Sequence, residues 1–437
     1  MFNRRQFLTT GTLAVAGGML AGSAPKKGAE ADLSSWRAVR AQFDQLDPTW
    51  IHLGLFYIAS HPRPVREAIE HYRRSIDTEP FNTVEHLMFG PAPANVQLAA
   101  CDRIAKYIGG EGDDIALTQN TTTGLALLYH GLPLKPGDEV LVTTHDHYVH
   151  HEAVRLATEK SGATSRRIPL FDSYDKVDPD EIADRIRKAI RPNTRVVGVT
   201  WVHSSSGVKL PLRRIADAVA EVNATRPGEK RVLLFVDAVH GFGVEDPKLV
   251  ASGIDAFSAG THKWIFGPRG TGFVWAKPDV WAMLRPTVPT FHGMELFEAW
   301  AEQVPPRAPA RAAWFSPGGF QAMEHHWALP AAVAVHDRSG STRITDRIHE
   351  LNSQFKEGLA RMPHVALYTP RSNDLSAGIV CFDIEGMKQT EVVRRLLQKR
   401  IIASTTPYRD SYARVAFGIV NTPEEVEKTL AAVRALA

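Results

Sequence analysis

One lysine and one aspartate stand where two neighbouring buried strands would end. Lys263 follows an apolar run and precedes a glycine-rich turn, while Asp237 ends the apolar run before it, with His240 shortly after. Because parallel strands present their carboxyl ends at one edge of a sheet, we expect these side chains to meet there. A helix cap is the alternative for Asp237, but the spacing to His240 and Lys263 disfavours it. A lysine that holds an aldehyde as a Schiff base and an acid that pairs with a ring nitrogen together predict pyridoxal phosphate (PLP).

A second signal is a run of hydroxyl residues at a predicted helix start. Residues 120–124 read Asn-Thr-Thr-Thr-Gly and lie between a strand and a helical pattern. A helix N-terminus offers free N–H groups and the positive end of a dipole, which suit a phosphate. The same residues would also make an ordinary helix cap, so this signal is not specific by itself.

Histidine is dense after the next predicted strand, in the segment TTHDHYVHHEA. Metal binding is one interpretation of such density. No cysteine or carboxylate spacing completes a zinc-type site, so the sequence predicts no metal here.

A sheet must bring these residues together, and the sequence predicts one. From about residue 65 to residue 281, apolar runs alternate with amphipathic helical stretches, the pattern of an α/β fold with a mostly parallel sheet. The strands are predicted near DDIALT, DEVLVTT, TSRRIPL, TRVVGVTWV, RVLLFVDA, DAFSAG and GTGFVWA. The predicted divisions are a signal segment at 1–31, an N-terminal arm at 32–64, a large domain at 65–310 and a small C-terminal α/β domain at 311–437.

At these residues the chain resembles the class V, cysteine desulfurase-like branch of the aminotransferase-fold PLP enzymes, and within it the isopenicillin N epimerase-like proteins. The resemblance extends from about Ile51 to the C-terminus. It implies a type I PLP-dependent transferase fold and a homodimer with each site near the interface.

The resemblance also implies how the phosphate of PLP is held. Thr121 and Thr122 match the phosphate-binding pair of the family, and His262 matches a further phosphate ligand. The family often has a serine at the position of Gly260, so one hydroxyl is missing. Ser258 and Arg269 are the two residues that would compensate, and the sequence does not decide between them.

The ring of PLP has its own implied contacts. His147, after Asp146, matches the histidine that stacks on the pyridine ring, with His145 as the alternative register. Such an imidazole fixes the tilt of the ring and passes protons at the reacting carbon. His240 would reach the phenolic oxygen of the ring.

Three residues are implied on the substrate side. His203 and Ser204 match a loop that touches the phenolic oxygen and the substrate, with a polar turn as the alternative. Arg414 matches the arginine that binds the substrate carboxylate, a role that suits its two-pronged guanidinium, with a surface arginine as the alternative.

The first residues follow the order of a twin-arginine export signal. Arg4 and Arg5 precede a weakly apolar stretch from Leu8 to about Ala21, after which small residues follow. The stretch is too short and too glycine-rich for a membrane span of about 20 apolar residues. A basic terminus without structure is the alternative. We expect the twin-arginine translocase to carry the folded, PLP-loaded chain to the periplasm.

Charge and cysteine content exclude two classes of protein. The formal net charge is +3, and cleavage after Ala24 would remove Arg4, Arg5 and no acid, leaving +1. A nearly neutral protein lacks the electrostatic footprint of a nucleic-acid binder. Cys101 and Cys381 are far apart, which predicts buried thiols rather than a disulfide scaffold.

The predicted function is a PLP enzyme acting at the α-carbon of an amino acid or an aminoacyl or peptidic metabolite, by transamination or epimerisation. The residues do not separate these reactions from those of a PLP lyase. A cysteine desulfurase is disfavoured because residues 401–414, where that class carries its catalytic cysteine, contain none. A non-catalytic PLP-binding or regulatory protein is the alternative from another class.

Substrate size is the last expectation. Exported relatives known as tailoring enzymes of siderophores such as pyoverdine imply a peptide-like substrate. Aromatic residues are frequent in 52–61 and 286–320, including Phe291, Phe297, Trp300, Trp314 and Phe315. These segments would either wall a wide substrate mouth or pack a dimer interface.

Overall fold

The computed structural model describes residues 31–437. The predicted export motif, with Arg4 and Arg5, lies outside the described residues. Among the helices that are described, none is long and apolar enough to cross a membrane.

The strands, in chain order, are β1 (Ile51–His52), β2 (Ile115–Thr118), β3 (Glu139–Thr143), β4 (Thr164–Ile168), β5 (Thr194–Thr200), β6 (Leu233–Asp237), β7 (Ala256–Gly260), β8 (Gly272–Ala276), β9 (Val365–Leu367), β10 (Val380–Ile384), β11 (Ile401–Ile402), β12 (Ser404–Thr405) and β13 (Ala413–Val415). The helices are α1 (Trp36–Ala41), α2 (Arg63–Thr78), α3 (Pro80–Met88), α4 (Val96–Ile108), α5 (Thr121–Gly131), α6 (Tyr148–Ser161), α7 (Pro179–Ala189), α8 (Leu212–Asn223), α9 (Pro278–Met283), α10 (Met294–Glu302), α11 (Met323–Trp327), α12 (Leu329–Ser339), α13 (Ser341–Leu359), α14 (Gln389–Gln398) and α15 (Pro423–Arg434).

A seven-stranded sheet in the order β2-β8-β7-β6-β5-β3-β4 forms the centre of the chain. The five strands from β7 to β4 are parallel, and β8 is antiparallel to both of its neighbours. The predicted mostly parallel α/β fold is therefore confirmed.

Apolar side chains on both faces explain why these runs form central strands. Along β3, Leu141 points into one hydrophobic core, while Val140 and Val142 point into a second core on the opposite face. A strand covered on both sides reads as a continuous apolar run, which is why the sequence signal was clear.

A smaller antiparallel sheet, in the order β12-β13-β10-β9, lies in the C-terminal part. The arm joins this part, because β1 pairs with β11 and Leu53 lies in the same core as Phe355 and Phe382. The first residues after 310 pack with the large sheet rather than with the C-terminal part, because Trp314 and Phe315 lie in a core of the large sheet. The division at residue 310 stays a prediction.

The carboxyl ends of three parallel strands meet at one edge of the large sheet. Thr200, Asp237 and Ser258 are register partners across β5, β6 and β7. Asp237 is thereby held next to the loop that follows β7, which contains Lys263.

Candidate active site

The loop carrying Lys263 is closed on itself by backbone hydrogen bonds. The Thr261 amide donates to the Thr271 carbonyl at 3.1 Å, and the Gly267 amide donates to the Thr261 carbonyl at 2.8 Å. Phe266 takes a left-handed backbone conformation with φ 56°, which is uncommon for a bulky residue and requires support from its surroundings. Its ring supplies that support by packing edge-on against Phe43, 4.9 Å between centroids.

The Lys263 amine sits inside the protein rather than in solvent. Its Nζ lies 3.2 Å from His240 Nε2. Burial lowers the pKa of Lys263 to about 8; the positive charge of Arg414 adds to this effect and the charge of Asp237 opposes it. A lysine with so low a pKa has a substantial neutral fraction near neutral pH, as attack on an aldehyde requires.

Asp237 is a buried carboxylate that the protein only partly satisfies. Its side chain is 2% exposed, and Oδ1 accepts the Val239 amide at 3.1 Å. Burial raises the pKa of Asp237, against the charges of His150, Lys263 and His147. A cationic ring nitrogen beside this carboxylate would lower its pKa again, so the residue fits the nitrogen partner of PLP.

Two buried polar atoms without partners mark an anion site. Asn120 caps α5 by accepting the Thr123 amide at 2.9 Å. Beside this helix start, Thr121 Oγ1 and His262 Nδ1 have no hydrogen-bond partner in the described part of the chain. A Cβ built at Gly260 would lie 3.3 Å from Thr121 Oγ1 and 2.8 Å from His262 Cε1, so both side chains converge there. The unpartnered Thr121 hydroxyl, the His262 ring beside it and the helix dipole fit the phosphate of PLP.

The missing serine at position 260 has a structural reason. A side chain at Gly260 would collide with the His262 ring. Ser258 does not compensate, because it has no exposed surface and its hydroxyl donates to the Phe273 carbonyl at 3.1 Å. Arg269 is exposed and donates to the Ala59 carbonyl at 3.4 Å, so its role at the phosphate stays a prediction. Thr122 is exposed beside Thr121.

The structure separates the two candidate ring histidines. His147 caps α6, and its Nδ1 accepts the Val149 amide at 3.3 Å, which leaves the proton on Nε2. Burial lowers the pKa of His147, and the charges of Asp237, Lys263 and Arg414 act on it, which places it in the site. His145 instead stacks on Phe171 with centroids 4.0 Å apart and points away.

His203 is fully buried, and its predicted contact with the substrate stays a prediction. Its side chain has no exposed surface and stacks on His145, 5.4 Å between ring centroids. Burial lowers the pKa of His203 to about 3, so the ring is neutral. The polar turn is real, because the Gly207 amide donates to the His203 carbonyl at 2.7 Å. The next residue, Ser204, contacts Tyr408 through its hydroxyl and accepts from Arg414 through its carbonyl.

Arg414 is a buried cation without a carboxylate partner among residues 31–437. It lies on β13, is 5% exposed, and stacks over the Phe56 ring at 4.6 Å. Its guanidinium donates to the Ser204 carbonyl at 2.8 Å, Ser404 Oγ at 3.1 Å and the Thr405 carbonyl at 3.4 Å. Because guanidinium has five N–H groups, two remain for an external carboxylate.

The sequence analysis missed three residues of the site. Tyr408 donates to or accepts from Ser204 Oγ at 2.6 Å and meets the His147 ring edge-on at 5.8 Å. Phe56 supports Arg414 from the arm, and the Trp264 indole reaches His240 at 3.3 Å. Tyr408 and Phe56 reach the site through tertiary contacts, so no sequence spacing could have predicted them. Trp264 directly follows Lys263 in the chain, and that adjacency was the one signal that could have predicted it.

Both cysteines are buried thiols in this fold. Cys101 and Cys381 are free and buried, and burial raises the pKa of each thiol to about 12. Cys381 lies on β10 as the register partner of Arg414 and has no exposed surface. A thiol with that pKa holds almost no thiolate at neutral pH.

Comparison with known proteins places the chain in a family. The Aminotransferase class-V family model matches residues 59–429, so the chain belongs to this family of PLP enzymes, and its cofactor is PLP. It is 26% identical to the isopenicillin N epimerase of Streptomyces clavuligerus over 92% of this chain and 99% of that relative. It is 25% identical to the cysteine desulfurase of Haloferax volcanii over 86% of each.

Solved structures share the fold. A mutant of C-DES with glycine covalently linked to its PLP cofactor superimposes with a TM-score of 0.77 at 22% identity, over 90% of this chain and 98% of that one. A cysteine desulfurase from Thermococcus onnurineus superimposes with a TM-score of 0.76 at 19% identity, over 92% and 97%. The predicted type I PLP fold is confirmed.

Proposed function

We propose that this chain is an exported PLP enzyme that acts at the α-carbon of an amino acid or an aminoacyl or peptidic metabolite, by transamination or epimerisation. The observation that carries the proposal is the buried guanidinium of Arg414, which has no carboxylate partner in the described chain and acts electrostatically on Lys263. An unpaired buried charge is costly, so a site that retains one is built for an anionic ligand. An α-carboxylate supplies that anion.

Bound PLP supplies an electron sink for the α-carbon of an attached amine. The chain supplies the rest. Asp237 would hold the ring nitrogen protonated, and Arg414 would fix the substrate carboxylate and so orient the α-carbon. The Lys263 amine would move a proton at that carbon. His147, next to Tyr408 and with its proton on Nε2, would lie against the ring of bound PLP.

Tyr408 supports a reaction other than desulfuration. It lies in the segment where the desulfurase class carries a cysteine, and its hydroxyl contacts Ser204 beside Arg414. Burial raises the pKa of Tyr408, so its phenol is a proton donor at neutral pH. A protonated phenol fixed next to Arg414 would suit epimerisation, in which a proton leaves one face of the α-carbon and another returns on the opposite face. Relatives named isopenicillin N epimerase, matched over nearly their full length, support the same reaction.

Exposed aromatic residues support a bulky substrate or a homodimer. Trp300 is 73% exposed, Phe320 72% and Phe291 48%, and the Phe291 and Phe320 rings contact each other at 6.1 Å. Trp314 and Phe315 are different, because both are buried in a core and wall no opening. We propose that the exposed group lies at the mouth of the site within a homodimer, where it contacts a larger aminoacyl or peptidic compound.

Export is proposed on the order of the N-terminal residues alone, with Arg4 and Arg5 ahead of a short apolar stretch. The twin-arginine route carries folded proteins, and the PLP site described above needs a complete fold. We therefore propose a periplasmic enzyme loaded with PLP before export.

The test is a screen of PLP-loaded protein against amino acids and peptidic metabolites in heavy water, with and without a keto acid. Mass spectrometry and chiral chromatography read the products. Inverted α-carbons carrying deuterium indicate epimerisation, and a new keto group indicates transamination. Side-chain loss would replace the proposal with a lyase. Absence of α-proton exchange in every arm would refute it.

Substrate size is read from the same screen. The proposal expects poor kcat/KM for free alanine, cysteine and glutamate and a higher value for larger aminoacyl compounds. Efficient turnover of a small free amino acid, with no gain for any larger analogue, would contradict the expectation.

A further inference from the structure

A chain of four hydrogen bonds runs from the protein core to the PLP lysine. The Tyr107 hydroxyl lies 3.3 Å from His336 Nδ1, and His336 Nε2 lies 3.0 Å from the Trp264 carbonyl oxygen. The Trp264 indole Nε1 lies 3.3 Å from His240 Nδ1, and His240 Nε2 lies 3.2 Å from Lys263 Nζ.

The chemistry of these atoms fixes the direction of every bond. A carbonyl oxygen only accepts, so His336 Nε2 carries the proton and Nδ1 accepts from Tyr107. An indole nitrogen only donates, so His240 Nδ1 accepts from Trp264. Burial lowers the pKa of both imidazoles, and a neutral ring has one N–H. The proton of His240 is therefore on Nε2, aimed at Lys263 Nζ.

Packing prevents the indole from turning away. Trp264 is 4% exposed, and a Cβ added at Gly378 would lie 2.6 Å from its Cη2 atom. A Cβ added at Gly243 would lie 3.1 Å from Trp264 Cβ, at the other end of the side chain. Both glycines therefore pack closely on this residue, and His336 fixes its carbonyl, so the surrounding fold sets the direction of the N–H.

We propose that Trp264 is a positioning residue that fixes the tautomer of His240 and so keeps an N–H donor aimed at the nitrogen to which PLP attaches. The inference rests on the cofactor and on Lys263 as its attachment point, and is independent of the reaction catalysed. A donor at Nζ favours the neutral amine, because an ammonium has no lone pair to accept the bond. The same N–H is the atom that His240 presents to an oxyanion in the cleft.

Removing the indole N–H changes which tautomer is favoured. His240 Nδ1 then has no donor among the residues described, and moving the proton to Nδ1 frees Nε2 to accept from the Lys263 ammonium. Other charges facing this pair are those of Asp237, Arg414 and His147, with His262 also acting on His240, and they are unchanged by the substitution. The Lys263 pKa is expected to rise by about one unit, the equivalent of one hydrogen bond.

Two measurements on the full-length, PLP-free protein test the proposal. Long-range ¹H–¹⁵N spectra with ¹⁵N-labelled histidine, assigned with His240→Gln, report which ring nitrogen is protonated. Wild type is expected to show Nε2–H and Trp264→Phe to show Nδ1–H. The pH dependence of PLP uptake reports the Lys263 pKa, which is expected to shift upward in Trp264→Phe, with about tenfold less neutral amine below both pKa values.

Trp281→Phe is the matched control, because its indole also donates a hydrogen bond, to the Asp114 carbonyl at 3.0 Å, and Trp281 packs in a different hydrophobic core from Trp264. It should leave both readouts unchanged. If Trp264→Phe does not fold, benzothienylalanine at position 264 keeps the shape of the ring without the N–H. An Nδ1–H tautomer in wild type, or an unchanged tautomer after loss of the indole N–H, would overturn the proposal. Neither outcome depends on which substrate the enzyme turns over.

Discussion

Arg414 offers the most quantitative test of the substrate assignment. Three of its five N–H groups are bound to Ser204, Ser404 and Thr405, which leaves two for the carboxylate of a substrate. A hydrogen bond to a charged group contributes about 1.5–3 kcal/mol. Two such bonds at the lower end give about 3 kcal/mol, so Arg414→Ala should lower kcat/KM about a hundredfold. PLP should remain bound, since Arg414 is not among the residues proposed to hold it.

The assay must separate carboxylate binding from a disturbed loop, because Arg414 also holds the Ser204 carbonyl. Spectral titration of PLP-loaded protein with an amino acid and with the matching amine that lacks the carboxylate makes this separation. The Arg414→Ala defect should appear for the amino acid and be small for the amine. Arg414→Lys keeps the charge without the two-pronged geometry and should be intermediate. Arg395→Ala, an exposed arginine on α14, is the control.

Equal losses for the amino acid and the amine would show that Arg414 acts only on the structure of the loop. Wild-type kinetics in Arg414→Ala would show that another residue binds the carboxylate.

Three further results are expected. Gly260→Ser should weaken PLP binding about tenfold, because the new side chain would displace the His262 ring. Fluorescence titration measures the affinity for PLP, and tighter binding would contradict the proposed phosphate site. Tyr408→Phe removes the 2.6 Å contact with Ser204 and should reduce kcat at least fivefold with little change in PLP binding; unchanged kcat would exclude a role for the phenol. Changing both arginines of the predicted export motif to lysine should retain the precursor in the cytoplasm. Cell fractionation measures this, and a normal amount of protein in the periplasm would refute the twin-arginine route.

Local signals carried most of the fold prediction. Buried strands such as β6 and β7 are continuous apolar runs, and Asp237 and Lys263 sit at or just after their ends, so sequence spacing placed both correctly at one sheet edge. The capped start of α5 was visible for the same reason, since Asn120 and the threonines are adjacent in sequence.

What the sequence could not predict depends on tertiary contacts. A polar turn at residues 203–206 does not say which residue contacts Tyr408 and Arg414, and in the structure it is Ser204, while the His203 ring stacks on His145. Two closely spaced histidines differ in role because only His147 caps α6, whereas His145 stacks on Phe171. Tyr408 reaches the site through the β12–β13 connection, whose path no spacing rule gives.

The central claim is that Lys263 holds PLP, and one measurement tests it directly. Borohydride reduction of the yellow, PLP-loaded protein followed by proteolysis and mass spectrometry should place the cofactor on the single peptide that contains Lys263. Attachment to another lysine, or a fully loaded protein that borohydride does not label, would contradict the account.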